Sequence, residues 1–376
     1  MIDAAATTAL VPPPILDGYT YSPEEAYAAR DAERLLSLRL ETNATCNLRC
    51  RYCYASSDEG QGQIVDFDHL AALIEQARAL GAASVVIIGG GEPTLHPRFR
   101  DLVSRVADGG MRPVVFTNTM AVTPELARFL YAAGASVMGK LDSLDEELQS
   151  YLAGIPGSGP RIHRGLDNLQ SAGFAATDDP HRLRLGVSFV SCRLNVDEIP
   201  AIWRLCRYNN IFPNMEVLTP TGRAQEVLSG AGLTPEEIRD YKLRILAIDR
   251  AEFGFDWLPF TPLTASGCLQ QFYSMYIARD GAVRPCAPTK FDEHPELRED
   301  GVYPHNVFRR PLTEIYHDPL FTYVRHIDDH LQGRCRGCEH LAQCVGCRGY
   351  AYAVGVADDL APRAALAQGC RQCWKD

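Results

Sequence analysis

Cys46, Cys50 and Cys53 fall within eight residues, Cys46-Asn47-Leu48-Arg49-Cys50-Arg51-Tyr52-Cys53, in a C-x3-C-x2-C spacing. Thiolates are soft ligands for zinc and for iron–sulfur groups. Three on one tight loop can hold three irons of a 4Fe–4S cube and leave the fourth iron open to a chemical ligand. A structural zinc site wants four protein ligands, and the next cysteine, Cys192, stands 139 residues beyond Cys53. The alternatives of zinc or buried thiols therefore fit this loop poorly. Eight further cysteines crowd the last part of the chain: Cys268, Cys286, the run Cys335, Cys338, Cys344, Cys347 spaced C-x2-C-x5-C-x2-C, and the pair Cys370 and Cys373. Eight thiolates are the number two closed 4Fe–4S cubes require; one or two zinc knuckles are the alternative.

These residues need a scaffold, and the sequence supplies an alternating one. Ala, Thr and Pro dominate residues 1–22, which read as an irregular arm. Ser22-Pro23-Glu24-Glu25 then starts a helix: an N-cap, a proline in the first turn, acids at the positive end of the helix dipole. Strand-like runs follow at Leu38–Asn43, Ser84–Ile88, Pro113–Thr117, Ala135–Asp142, Leu183–Val190 and Asn214–Thr219. Between them lie stretches with apolar residues at helical spacing, among them residues 68–77, the segment opened by Thr123-Pro124, and Asn195–Tyr208. Six βα units imply a parallel sheet with right-handed crossovers, either an open doubly wound sheet or a partial barrel. In both, working residues sit at the carboxyl ends of the strands. Thr234-Pro235-Glu236-Glu237 opens a long helix to about Phe253, and from Cys268 onward the chain turns loop-rich, so metal groups replace core.

The carboxyl-end rule collects the remaining candidates at one mouth. Cys46 follows strand one, Gly89-Gly90-Gly91-Glu92-Pro93 follows strand two, and Thr117-Asn118 ends strand three. Glycines there let backbone carbonyls approach a ligand closely. Met138, Lys140 and Asp142 share one face of strand four by alternation. A lysine in an enclosed mouth is costly unless paired. The pairing reading is a salt bridge to Asp142, to Glu216 or to a ligand carboxylate; the functional reading is a substrate contact or a general base. Cys192 follows strand five and shares a face with Ser188; it is either inert packing or a hydrogen-atom donor. Cys206 reads as core. Glu216 and Arg223 are further candidate contacts.

The C-x3-C-x2-C loop, with aromatic Tyr52 before its last cysteine, and the Gly-Gly-Glu-Pro segment together resemble the radical S-adenosylmethionine (SAM) superfamily over about residues 37–225. The resemblance implies a partial (β/α)6 TIM-like barrel of α/β class. It implies an open-iron 4Fe–4S cluster on Cys46, Cys50 and Cys53 that binds S-adenosylmethionine through its amino and carboxylate groups. Candidate contacts to that cofactor are Tyr52, Gly90, Gly91, Glu92, Pro93, Asn118, Asp142 and Ser188. The cysteine-rich end is similar to the SPASM extension of that superfamily, which binds two auxiliary iron–sulfur clusters, here expected as 4Fe–4S. By that resemblance Cys268, Cys286 and Cys347 serve the first, and Cys335, Cys338 and Cys344 with Cys370 or Cys373 serve the second. The leftover cysteine of the final pair completes the first cluster or leaves it with an open iron or a 2Fe–2S group. Four departures stand out. No cysteine shortly precedes Cys268, only two residues separate Cys344 from Cys347, Lys140 replaces a usual serine, and Thr119 replaces a glycine after Asn118.

The layout expected is an arm and short helix (1–36), a barrel (37–225), a bridging helical segment (226–267) and the SPASM region (268–376). The chain has 376 residues and a net charge of −10, which argues against nucleic acid and anionic membranes as partners. No apolar run is long enough to span a bilayer, and Met1-Ile2-Asp3-Ala4 lacks a secretion signal. A reducing cytoplasm follows, where cysteine pairs are metal ligands rather than disulfides. The resemblance implies a 5′-deoxyadenosyl radical that abstracts a hydrogen atom, with electrons supplied by a flavodoxin or ferredoxin. Oxidation through the auxiliary clusters follows if Lys140 takes a proton; epimerisation follows if Cys192 returns a hydrogen. Many SPASM enzymes modify peptides and carry a peptide-binding domain at the N-terminus, larger than the 45 residues that precede Cys46. The expected substrate is therefore a small polar metabolite, a sugar or aminocyclitol-like intermediate of specialised metabolism such as antibiotic biosynthesis. Peptide or protein modification, as in peptide natural-product or sulfatase maturation, is the alternative.

Overall fold

Six strands lie side by side in the order in which the chain makes them, and that order decides between the two sheets the sequence allows. The computed structural model describes residues 11–57, 62–176, 179–218, 222–224, 228, 230–265, 267–371 and 373–375. The first ten residues of the arm, Thr219 at the end of the sixth expected strand and the 225/226 boundary between barrel and bridge lie outside these. In chain order the strands are β1 (Ile15–Leu16), β2 (Ser37–Glu41), β3 (Ser84–Ile88), β4 (Arg112–Thr117), β5 (Ser136–Lys140), β6 (Arg182–Leu183), β7 (Leu185–Ser191), β8 (Phe212–Val217), β9 (Ser274–Ile277) and β10 (Val283–Arg284). The main sheet runs β10-β9-β2-β3-β4-β5-β7-β8, parallel throughout except for the β9–β10 pair. A doubly wound sheet reverses its strand order at a switch point. From β2 to β8 there is no reversal, so right-handed crossovers stack the helices on one face, as in a barrel.

Local chemistry builds the elements as expected. Ser22 and Glu25 close a capping box on the helix Pro23–Asp31, and Thr234 and Glu237 close another on Pro235–Ile248. That second helix ends in a π turn, Asp249–Phe253, stopped by Gly254 at φ +71°. Strand alternation splits the sheet into two faces. Leu38, Leu40, Val85, Ile87, Val115, Val137, Leu185 and Val187 pack under the helices in the main core. The opposite face carries Val86, Val114, Met138 and Phe212, and higher up Lys140, Ser188, Asn214 and Glu216.

Two features were not legible in the sequence. The arm is not irregular beyond residue 14: Ile15–Leu16 pairs with Arg182–Leu183, and buried Leu16 and Tyr19 plug the inner face against Val86, Val114, Met138 and Phe212. The cysteine-rich end also contributes to the barrel. Ser274–Ile277 adds a seventh parallel strand beside β2, in the register Ser37↔Ser274 to Leu40↔Ile277.

Candidate active site

The cysteine loop leaves β2 and folds over the ends of β3 and β4. Its backbone is fixed from below by two helices in the β5–β6 connection, Glu146–Ala153 and Gly159–Leu169. Arg49 and Arg51 donate their amides to the carbonyls of Ala153 and Leu152, at 3.1 and 3.0 Å, and Leu48 packs on Ala153 and Ile162. Arg223 closes the other side. Its amide donates to the Cys53 carbonyl (3.1 Å), and its guanidinium donates to the carbonyls of Cys50 (3.0 Å) and Ser57 (2.7 Å).

The glycine segment after β3 locks onto this loop. The Gly91 and Glu92 amides donate to Asn43 and Thr45 carbonyls, each at 2.8 Å. A Cβ on Gly91 would run into the Thr45 carbonyl, so only glycine permits this approach. Glu92 is buried, and its carboxylate accepts from the Asn118 amide (2.7 Å), the Thr117 hydroxyl (2.7 Å), and the Thr94 hydroxyl (2.7 Å) and amide (3.2 Å). Burial pushes its pKa up, and these donors oppose the shift. Four donors saturate the carboxylate, so Glu92 ties the ends of β3 and β4 together. Asn118 donates to Asn47 (2.7 Å) and reaches Cys46 Sγ at 3.9 Å.

Across the mouth, Lys140 is paired. Its ammonium donates to Asp142 and to the Tyr52 hydroxyl and lies 4.4 Å from the Tyr52 ring centre. Tyr52 in turn donates to Asp142 at 2.6 Å. Asp142, fully buried, also accepts from the Val190 amide (3.2 Å) and Gln149 (3.3 Å). Burial, the largest single effect, would lower the lysine pKa; Asp142 together with the Cys50 and Cys46 thiols outweighs it, and the net direction is upward. Asn214 bridges Ser188 (3.1 Å) and Glu216 (3.0 Å) on the neighbouring strands. Burial raises the Glu216 pKa.

Cys46, Cys50, Tyr52, Cys53, Gly90, Gly91, Glu92, Pro93, Asn118, Lys140, Asp142, Ser188, Glu216 and Arg223 all line one cavity of about 300 Å³. The three thiols of the loop share it with Lys140, Asp142, Ser188 and Glu216, and Tyr52 of the loop touches the Lys140–Asp142 pair. Burial pushes Cys46 up to about 12, with the Glu92 charge as the next cause, and raises Cys50 as well. Metal binding would require these thiols to give up their protons. Cys192 is 1% exposed among Leu152, Leu218, Ala224 and Leu228 and does not itself line that cavity; it packs behind Tyr52, Val190 and Leu218, which do. Cys206 lies in the core, as its helix spacing suggests.

A second cavity, of about 380 Å³, is ringed by Cys335, Cys338, Cys344, Cys370 and Cys373. None of the thirteen cysteines is in a disulfide. Among the described residues no three His, Cys, Asp or Glu side chains converge as a single ion would require. Cys268, Cys286 and Cys347 form another group. After burial, the charges that bear most on Cys347 are those of Cys370, Cys268 and Cys286, whereas on Cys344 Cys373 comes ahead of Cys370. Cys370 and Cys373 both line the second cavity, and the Cys370 charge bears on Cys347 as well.

Sequence reasoning missed Arg39, Glu41, Tyr54 and Tyr276. Tyr276 on β9 donates to Glu41 and meets Tyr54 of the cysteine loop at 3.2 Å. The Arg279 amide donates to Glu41 at 3.1 Å. The one signal available was a charged residue, Arg39 or Glu41, at alternate positions of an otherwise apolar strand.

Comparison with known proteins gives the following. Residues 40–179 match the family model described as the radical SAM superfamily, and residues 268–339 match SPASM, an iron–sulfur cluster-binding domain. An AdoMet-dependent heme synthase of Methanosarcina barkeri is 26% identical over 353 residues, covering 87% of this chain and 94% of the relative. The mycofactocin maturase MftC of Mycolicibacterium smegmatis is 27% identical, covering 84% and 79%. The crystal structure of Streptococcus suis SuiB bound to precursor peptide SuiA superposes with a TM-score of 0.67 at 16% identity, over 94% of this chain and 80% of that one. The structure of anSMEcpe with AdoMet and a peptide gives 0.59 at 15% identity, over 84% and 90%.

Proposed function

The chain belongs to the radical SAM superfamily and carries a SPASM domain, and from that premise we propose that it oxidises an unactivated carbon of a small polar metabolite, a sugar or aminocyclitol-like intermediate. It is an enzyme whose cofactors are S-adenosylmethionine, a radical SAM 4Fe–4S cluster and auxiliary iron–sulfur clusters. What S-adenosylmethionine supplies when bound is a 5′-deoxyadenosyl radical able to take a hydrogen atom from carbon.

The observation that supports the substrate class is the polar wall that shares the cavity with the cysteine loop. Lys140, Ser188 and Glu216 offer a cation, a hydroxyl and a carboxyl on adjacent strands of one cavity, a set that suits hydroxyl or amino groups better than hydrocarbon. In this reading Cys46, Cys50 and Cys53 hold the open-iron cluster, and Gly90, Gly91 and Pro93, fixed by Glu92, shape the turn beside it. Asn118 and Tyr52 orient the loop. Lys140 presents a proton-bearing nitrogen to a substrate or cofactor oxygen; to act as base it must first part from Asp142, which holds its proton on. Cys335, Cys338, Cys344 and Cys373 are assigned to one auxiliary cluster, and Cys268, Cys286 and Cys347 to the other, with Cys370 as its fourth ligand. These clusters are the natural destination for the electrons of an oxidation, and a cytoplasmic flavodoxin or ferredoxin is the proposed donor to the first.

Peptide modification is a second reading. It is supported by the names of two similar proteins, a mycofactocin maturase and a SuiB structure bound to its precursor peptide. Anaerobic incubation with S-adenosylmethionine, dithionite and deuterated substrates separates the two. Deuterium from a labelled sugar or aminocyclitol should appear in 5′-deoxyadenosine alongside an oxidised product. Transfer from a labelled peptide, with none from the small molecules, would replace the first reading by the second.

A further inference from the structure

Arg39 is a buried cation with two orphaned donors, and its charge is felt by the Glu216 carboxylate. It lies on the inner face of β2, is 8% exposed, and its Nε and Nη2 have no hydrogen-bond partner. Its guanidinium lies 5.0 Å from the Tyr19 ring centre, and among the described residues it makes no ion pair. Arg348 repeats the pattern. It follows Cys347 directly, is 4% exposed, and donates through Nη1 to the Leu366 (2.6 Å) and Gln368 (2.9 Å) carbonyls. Its Nε and Nη2 are buried and unpartnered. Nη2 packs over Gly346, where it meets the Cys370 side chain.

An unpaired buried charge costs several kcal/mol, on the order of the stability of a domain, and arginine cannot escape by losing its proton. Both arginines converge on the same thiols. The cations that bear on Cys268 are Arg39 and Arg348, and Arg39 also bears on Cys286. The second cavity is furnished differently. Its cations are Lys375, which pairs with Glu339, Arg334 on the surface, and buried Lys242, which donates to the Thr261 carbonyl. None of these is a buried cation with orphaned donors.

We infer that Arg39 and Arg348 are the resident counter-charges of the iron–sulfur group held by Cys268, Cys286 and Cys347, and that they raise its reduction potential above that of the group held by Cys335, Cys338 and Cys344. The inference rests on the proposed reading of these cysteines as cluster ligands. Reduction adds one electron, and so one negative charge, to a thiolate-ligated group, with no bond made or broken. Two fixed positive charges in a dry setting favour that more negative state. The group beside the substrate cavity then becomes the better acceptor for an electron leaving the substrate.

The test is an anaerobic dithionite titration of the full-length, cluster-loaded protein, followed by electron paramagnetic resonance. The signal lost in Cys286→Ser identifies the group. Arg39→Gln should make its reduction at least about tenfold less favourable, a midpoint about 59 mV lower for one electron. Arg39→Lys should keep it near the wild-type value, and the other signals should not move. If Arg39→Gln instead loses one cluster's iron and Arg39→Lys retains it, the counter-charge role stands. An unmoved potential in Arg39→Gln, or equal effects of Gln and Lys, overturns it. A wild-type protein that holds iron for the first loop alone overturns the cluster reading itself, before any arginine is changed.

Discussion

Removing Asp142 should cost far more than removing Lys140, although they form one ion pair. Asp142 is fully buried and accepts from Lys140, Tyr52, Gln149 and the Val190 amide. In Lys140→Met the carboxylate keeps its last three donors, each worth about 1 kcal/mol, and the methionine refills the lysine stem, so the loss should be about 1–3 kcal/mol. In Asp142→Ala the buried ammonium keeps only the Tyr52 hydroxyl and ring. Breaking a buried pair from this side costs about 3–5 kcal/mol. The difference of about 2 kcal/mol is a factor of about 30 in the folding equilibrium. Urea unfolding of the cluster-loaded protein, under argon and read by tryptophan fluorescence, measures it as a shift of midpoint at constant slope. Asp142→Asn, which preserves shape but not charge, should fall near the alanine value. Equal costs for Lys140→Met and Asp142→Ala, or a harmless Asp142→Asn, would refute the assignment of Asp142 as the group that makes a lysine tolerable here. The same variants bear on chemistry: Lys140→Met should still release 5′-deoxyadenosine while the oxidised product is lost.

Three further outcomes are expected. Asp249 is fully buried and accepts from Trp203 (2.8 Å), Trp257 (2.9 Å) and both ends of the Arg207 fork (3.0 and 2.8 Å), so Asp249→Ala should cost about 3–5 kcal/mol in the same unfolding assay. Burial lowers the pKa of His305, with Asp318 at 3.6 Å opposing the shift. The unfolded chain therefore takes up a proton more readily, and stability should fall as pH drops through about 6.5. His305→Gln should flatten that fall between about pH 7 and pH 5, and an unchanged slope would rule the group out. Thr119 sits at φ +65°, where a β-branched residue is strained. Thr119→Gly should be more stable than Thr119→Ala by about 1 kcal/mol in thermal melts, since both lose the hydroxyl and only glycine is at ease there.

What the sequence made legible was local. Caps, strand alternation and the spacing of Cys46, Cys50 and Cys53 each depend on residues a few positions apart, and those elements stand where they were expected. Lys140 and Asp142 were placed on one face by alternation alone, and they are in contact. What stayed hidden was contact across long separations. Tyr276 reaches Glu41 over 235 residues, and nothing in a four-residue strand within a cysteine-rich tail announces that it will pair with β2. Tyr19 gave no sign, in a proline-rich arm, of ending inside the barrel. Arg39 drew no reading of its own, because the plug residue Tyr19 that packs on it lies twenty residues earlier in a proline-rich arm. Cys192 was placed near the mouth by the carboxyl-end rule, which fixes a residue's height along a strand but not whether it lines the cavity or packs behind the residues that do.

β2 is where these long-range contacts meet. Its last residues feed directly into the cysteine loop, one edge pairs with β3, which ends at the glycine segment, and the other pairs with β9, which follows Cys268 by six residues. Parallel register is rigid: a slip by one residue would turn Arg39 and Glu41 out of the interior and break every inner-face contact. The cysteine loop, the glycine turn and the first of the downstream thiols are therefore held in one fixed frame by a single five-residue strand. Glu41 locks that frame at the mouth through Tyr276 and Arg279, and Arg39 sits one layer below on the same face, over Tyr19. A bridge of loops alone would let the distance between the two cysteine groups vary. A shared strand sets that distance, and with it the depth of the cavity in which a substrate must fit.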